Sequence, residues 1–230
     1  MRRWTVRRWR GGAGDLHARS AAAVAVPVAG PSVTILDSTT PAVVLGSTQP
    51  ESVVDGRLAA ERGWAVARRR SGGGAVLVGR GRCLWVDVVL PRADPRWDDD
   101  VSRAAWWLGD VWAGAVEDAG LGGAQTWRGA MTDNRWSRLV CFSGLGPGEV
   151  CVGGRKVVGV AQRRTRHGAL FQCAALVDGD HRPLLGVLAM APADRLRAAS
   201  DLAETTMGLG PGRAADLEAA LLRRLTDAYC

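Results

Sequence analysis

A mixed β-sheet flanked by helices, an α/β (α+β) arrangement, is the fold class this sequence predicts, and three observations carry it. Short runs of branched and aliphatic residues, punctuated by glycine, recur along much of the chain as strands do. One long segment and two tail segments instead place apolar residues at three- and four-residue spacing, the mark of helices with a core-facing stripe. The two patterns do not alternate regularly, which argues against a doubly wound parallel sheet.

Residues 1–30 hold turn formers and small residues without periodicity, and read as a partly ordered extension. Residues 31–230 are expected to form one domain. Within it, Ser32 to Leu36 and Ala42 to Leu45 read as strands. Asp55 to Arg62 reads as a short helix stopped by Gly63, and Trp64 to Arg68 as a strand. Gly74 to Val78 and Leu84 to Leu90 suggest a hairpin joined through Gly79-Arg80-Gly81, its second strand apolar enough to be buried on both faces. Asp98 to Ala119 is the longest helical pattern, with aspartates at its start to suit the positive end of the helix. Strands return from Thr126 to Val177 after a polar loop from Gly129 to Ser137. The tail predicts helices over Ala193 to Ala199 and Arg213 to Tyr229.

Composition narrows the function classes. Hydrophobic residues make up 47% and charged residues 23%, so the chain can build a core and is not a disordered polyelectrolyte. No apolar stretch is long enough for a membrane span, and the run Ala21 to Val28 is broken by Pro27, so neither a membrane protein nor a secretory leader is expected. Five cysteines, odd in number and without a C-x-x-C pair, weigh against a disulfide framework or a zinc site and point to a reducing, cytoplasmic setting. His17, His167 and His181 show no metal spacing and read as surface residues; no metal ligands are expected. The net charge of +7 raises nucleic acid as a partner, yet no zinc-finger spacing or aromatic-basic RNA signature accompanies it. Acidic protein partners or anionic substrates explain the same charge.

Of 30 basic residues, Lys156 is the only lysine. It lies in the glycine-punctuated stretch Gly153-Gly154-Arg155-Lys156-Val157-Val158-Gly159. A compact ammonium with three movable donors does what a planar guanidinium cannot, such as serving an acyl or phosphoryl oxygen in a tight pocket. Upstream, three glycines in Arg68-Arg69-Arg70-Ser71-Gly72-Gly73-Gly74-Ala75-Val76 let the backbone approach a ligand closely, and successive N–H groups there can form an anion-binding concavity. This loop is neither a Walker loop nor a Rossmann fingerprint.

Arg68 to Val76 resembles the R-R-x-[ST]-G-G-G-A-V motif of the lipoate–protein ligase A family. Gly154 to Gln162 resembles the same family's G-[RK]-K-[IV]-x-G-x-A-Q motif, in the same order. Val43 to Gln49 resembles the upstream strand that ends in Gly-x-x-Gln.

The resemblance implies the biotin/lipoyl-ligase catalytic fold, class II synthetase-like, and attachment of a lipoyl or octanoyl group to a lysine of a lipoyl carrier domain. The acceptor would be the lipoyl domain of a 2-oxoacid dehydrogenase or H-protein, with lipoate or octanoate as the acyl substrate and ATP and Mg²⁺ in a ligase. Gly72, Gly73, Gly74, Ala75 and Val76 would lie along the acyl chain and adenylate phosphate. Arg68 would stand on the nucleotide side, and Arg69, Ser71, Gly159 and Ala161 would share that substrate- and nucleotide-binding wall. Lys156 would donate to the carbonyl and phosphate oxygens.

Cys141, in Leu139-Val140-Cys141-Phe142, resembles the Cys-Phe of the octanoyltransferase and amidotransferase branch. There a thiolate, favoured by Lys156, would form a thioester and take the acyl group from an acyl carrier protein without ATP. Cys173 reads as a core residue. The chain departs from the family's pattern where Leu77, Val78 and Gly79 replace an aromatic followed by His-Asp, and where Val160 replaces a serine. Only a short tail follows Val177, so help from a separate subunit, or a protein that makes no adenylate, is expected. A non-catalytic acyl- or nucleotide-binding relative is the alternative from another class.

Overall fold

The computed structural model describes residues 3–210 and 212–227. In chain order the first half holds β1 (Thr5–Gly11), α1 (Ala13–Ala23), β2 (Ser32–Ser38), β3 (Ala42–Leu45), α2 (Gly56–Glu61), β4 (Ala65–Arg68), β5 (Val76–Val78) and β6 (Cys83–Pro91). The second half holds α3 (Trp106–Asp118), β7 (Ala124–Thr126), β8 (Val150–Val152), β9 (Arg155–Arg164), β10 (Gly168–Leu176), α4 (Arg182–Leu185), α5 (Pro192–Thr205) and α6 (Arg213–Asp227). Among the described residues the strands form a seven-stranded sheet in the order β1-β2-β6-β10-β9-β8-β7 and a three-stranded sheet in the order β4-β3-β5. The larger sheet is mixed: β1 runs parallel to β2, and its remaining pairs are antiparallel.

The alternation of side chains along β6 organises the core. Leu84, Val86, Val88 and Leu90 pack with Leu108, Trp112 and Val116 of α3 and with Leu217, Leu221 and Leu225 of α6. Trp85, on the other face, packs with Leu16 of α1 and with Ala42 and Val44 of β3. Coverage on both faces explains why β6 is apolar and buried beyond its first residue.

Several expectations are corrected. Residues 5–23, read as part of a loosely ordered extension, form β1 and α1, and β1 is an edge strand of the large sheet. Its arginines hid it: Arg8 pairs with Asp37 at 3.1 Å, and Trp9 lies under the guanidinium of Arg19 from α1, 4.2 Å from the ring. Charge on an edge strand blunts unwanted pairing, at the cost of the apolar alternation by which strands are recognised.

The expected hairpin of β5 and β6 does not form. β5 pairs with β3 in the small sheet, and β6 lies between β2 and β10 in the large one.

The long helix begins at Trp106 rather than Asp98. Asp98 accepts from the Asp100 N–H and Asp100 from the Ser102 N–H, both at 2.8 Å, and such local bonds compete with helical ones. The first tail helix, expected to end at Ala199, runs on to Thr205. Of the final helix, the expected residues 228 and 229 lie outside those described.

Candidate functional site

The two sheets and the loops joining them enclose a cavity of about 780 Å³, within the range of small-molecule sites. Ser71, Gly72, Gly73, Gly74, Val76, Cys141, Lys156, Gly159 and Ala161 line it, so most of the residues singled out in the sequence meet there.

The glycine loop is shaped by Arg69, which is 4% exposed. Its Nε and Nη2 donate to the Gly72 carbonyl at 3.1 and 2.6 Å, and Nη2 donates also to the Gly74 carbonyl at 2.8 Å. A buried guanidinium meets several carbonyls at once because its donors are fixed in a fork. The glycines are required by packing: a Cβ on Gly74 would stand 2.5 Å from the Val140 nitrogen, and one on Gly46 would stand 1.9 Å from the Gly73 carbonyl oxygen. Arg69 thus builds the loop from behind while also touching the cavity.

Two residues expected on this wall lie elsewhere. Arg68 lies outside the lining, where its guanidinium donates to the carbonyls of Gly46 and Gln49. Ala75 is fully buried, and its backbone bonds Leu139 and Cys141 instead of facing the cavity.

Lys156 is the second residue of β9, after a two-residue turn at Gly153 and Gly154 whose φ of 56° and 78° suit the tight hairpin with β8. The ammonium is 3% exposed and sits 2.7 Å from the Glu149 carboxylate. It also donates to the carbonyls of Cys141 at 3.1 Å and Gly144 at 3.0 Å. Glu149 in turn accepts from the Gly146 N–H at 2.7 Å and the Val160 N–H at 3.1 Å. The pair therefore ties the 141–149 loop to β9 in a setting where both charges are compensated, as burial demands.

The Cys141 thiol faces the cavity near the glycine loop. Lys156 was expected to favour its thiolate, but the lysine bonds the Cys141 carbonyl oxygen. The cation facing Sγ is Arg69, with Nη2 at 3.9 Å. Cys173 is buried among the large-sheet core residues, and burial drives its thiol pKa far up, which leaves it protonated.

A second polar cluster also lines the cavity, and the sequence reading missed it. His17 and His181, read as surface residues, are 7% and 8% exposed. His17 projects from α1 and stacks on Trp85 with ring centroids 4.5 Å apart. Its Nδ1 lies 3.0 Å from Gln172 Nε2, and Gln172 Oε1 accepts from the Ser71 hydroxyl at 3.1 Å. Behind them Asp87 accepts from Trp85 Nε1 at 3.1 Å. Burial lowers the His17 pKa to about 4, with the Arg69 charge acting in the same direction. Burial raises the Asp87 carboxyl to about 6 against its hydrogen bonds. His181 bonds Thr206 at 3.1 Å and lies outside the cavity, its pKa also lowered by burial to about 4.

The other missed residue is Glu149, whose signal was its place one short hairpin before the lone lysine. Among the described residues no three of His, Cys, Asp and Glu cluster as a metal site. Glu149 and Asp133 are the carboxylates of the lining. No helix of the described residues is long and apolar enough to cross a membrane.

Comparison with known proteins places this geometry. Residues 23–207 match the family model of the lipoyl protein ligase A/B catalytic domain. Three solved structures share the fold. A bipartite lipoate protein ligase from Thermoplasma acidophilum, studied with its E2 lipoyl domain, superposes with a TM-score of 0.72 at 18% identity, over 100% of this chain and 84% of that one. A lipoate-protein ligase A bound with ATP gives 0.70 at 22% identity, over 99% and 85%. A lipoate protein ligase from T. acidophilum with bound lipoic acid gives 0.70 at 21% identity, over 99% and 84%. No curated protein matches the chain by sequence.

Proposed function

Because the chain belongs to the lipoyl protein ligase A/B catalytic domain family, we propose that it attaches a lipoyl or octanoyl group to a lysine of a lipoyl carrier domain through an acyl-adenylate. The observation that carries this reading is the single buried ammonium, Lys156, at the wall of a cavity it shares with the glycine loop. ATP, when bound, would pass its adenylyl group to the acyl carboxylate with release of pyrophosphate, which turns the carboxylate into an acyl donor. A magnesium ion would need only one or two protein carboxylates, and Asp133, the lining carboxylate not paired with Lys156, would be the one to hold it.

In this reading Lys156 offers its positive charge to the acyl carbonyl and phosphate oxygens as charge grows on them. Such an oxygen displaces one of the two backbone acceptors, Cys141 or Gly144, while Glu149 holds the ammonium in place. The carrier amine then attacks the carbonyl, AMP leaves and the amine gives up a proton. The net charge of +7 would favour encounter with acidic carrier domains.

A second reading draws on Cys141, whose thiol lines the same cavity 3.9 Å from the Arg69 guanidinium. There the acyl group passes from an acyl carrier protein to the thiol and then to the carrier lysine, without ATP.

The deciding experiment incubates the protein with octanoate, ATP and a lipoyl domain, and separately with octanoyl carrier protein and the same domain, and weighs the domain by mass spectrometry. ATP-dependent modification that Cys141→Ala leaves intact supports the ligase, and ATP-independent modification that Cys141→Ala abolishes supports the thioester. A Lys156→Arg variant working at the normal rate overturns the role of Lys156 in both.

A further inference from the structure

Resting on the acyl-substrate reading above, we propose that His17 is a specificity-determining residue and that this cavity favours an acyl group carrying an oxygen acceptor near its distal end over a plain aliphatic chain. The argument starts from the amide of Gln172. Its Nε2 lies 3.5 Å from the Asp87 carboxylate, which only accepts, and this turns the NH₂ toward Asp87 and His17 Nδ1, the latter at 3.0 Å, while Oε1 accepts from the Ser71 hydroxyl at 3.1 Å. Nδ1 must then be the acceptor, so the proton of the neutral ring sits on Nε2. The ring is neutral because burial depresses its pKa to about 4.

No described protein atom accepts from that Nε2–H, although the ring is 7% exposed and lines the cavity. Val44, Val78 and Trp85 of the same lining offer no acceptor, and the oxygens of Ser71 and Gln172 are engaged with each other. Nε2 opens onto the cavity, so an aliphatic tail that fills this part of it would exclude water and leave the donor unpaired, which is costly.

The cluster is also far from Lys156. Gln172 pairs across the sheet with Ala161, five residues along β9 from Lys156, which places it roughly 16 Å away at strand rise. A head group at Lys156 therefore leaves His17 to meet the other end of the ligand. A hydroxyl or carbonyl oxygen there would accept from Nε2–H.

The test is calorimetric titration of the full-length protein with octanoate and with 8-hydroxyoctanoate, repeated on His17→Phe and His17→Gln. The expected result is that the wild type binds the hydroxylated acid about tenfold more tightly, the size of one satisfied buried hydrogen bond. His17→Phe should remove that preference, and His17→Gln, which keeps a donor, should retain part of it. Equal or tighter binding of octanoate by the wild type overturns the proposal, since it means that a water rather than the ligand satisfies His17. A preference that survives in His17→Phe also overturns it. If either variant fails to fold, the wild-type comparison decides. If neither acid binds, the acyl-substrate reading falls and this inference with it, whereas binding of both without preference removes only the inference.

Discussion

The Lys156 ammonium lies 2.7 Å from the Glu149 carboxylate with both side chains almost wholly out of solvent, at 3% and 9% exposure. A pair so placed is held by mutual compensation, and removal of one partner strands the other. Glu149→Ala is therefore expected to destabilise the protein by about 3 kcal/mol or more in urea unfolding. Glu149→Leu combined with Lys156→Met should lose much less, because no charge is then left buried.

The activity of the same pair separates differently. Lys156→Ala strands Glu149 in turn, with only the N–H groups of Gly146 and Val160 left as donors, so it too should lose stability, and its activity is read under conditions where the variant is folded. The rate of carrier modification should fall about 10²- to 10³-fold, the loss seen when a donor to a developing negative charge is removed. Lys156→Arg should not restore it, since a planar fork does not occupy the space of an ammonium with three acceptors around it. Single-turnover measurement with a lipoyl domain reads this directly.

Within the glycine loop the demand for glycine is not uniform. Gly74→Ala would force a Cβ into the Val140 backbone, whereas a Cβ on Gly72 meets nothing within 4 Å. Gly74→Ala should unfold or sharply destabilise the protein, and Gly72→Ala should change thermal stability little. A reversed ranking in a thermal melt would show that the loop does not hold this geometry.

Acid should weaken the fold in a defined window. The pKa values of His17 and His181 are lowered to about 4, so between pH 6.5 and 4 the unfolded chain takes up protons that the folded chain refuses, and stability is lost as pH falls. Asp87, raised to about 6, works the other way, because the folded chain takes its proton first and gains stability between pH 6 and 4. Two histidines against one aspartate leave a net loss of about 2 kcal/mol between pH 7 and 5. Urea titrations at the two values check this, and His17→Gln should reduce the slope.

The helix stripe of Leu108, Trp112 and Val116, the buried run of β6, the glycine loop and the motif around Lys156 were all legible in the sequence. Each is written in spacings of a few residues, where periodicity and backbone freedom act. That range sufficed for the fold class and for the Lys156 end of the cavity. It did not reach the other end. His17 and Gln172 stand 155 residues apart, and the arginine-rich strand before His17 carries no strand signature. Nor did it assign the arginines, since Arg68 and Arg69 are equal in sequence, yet one faces outward and the other is buried against the glycine carbonyls. The pairing of Lys156 with Glu149, the choice of Arg69 as the cation beside Cys141 and the burial of His17 were settled by which elements pack together. Burial and charge compensation are properties of neighbours in space, and no local pattern in the chain records them.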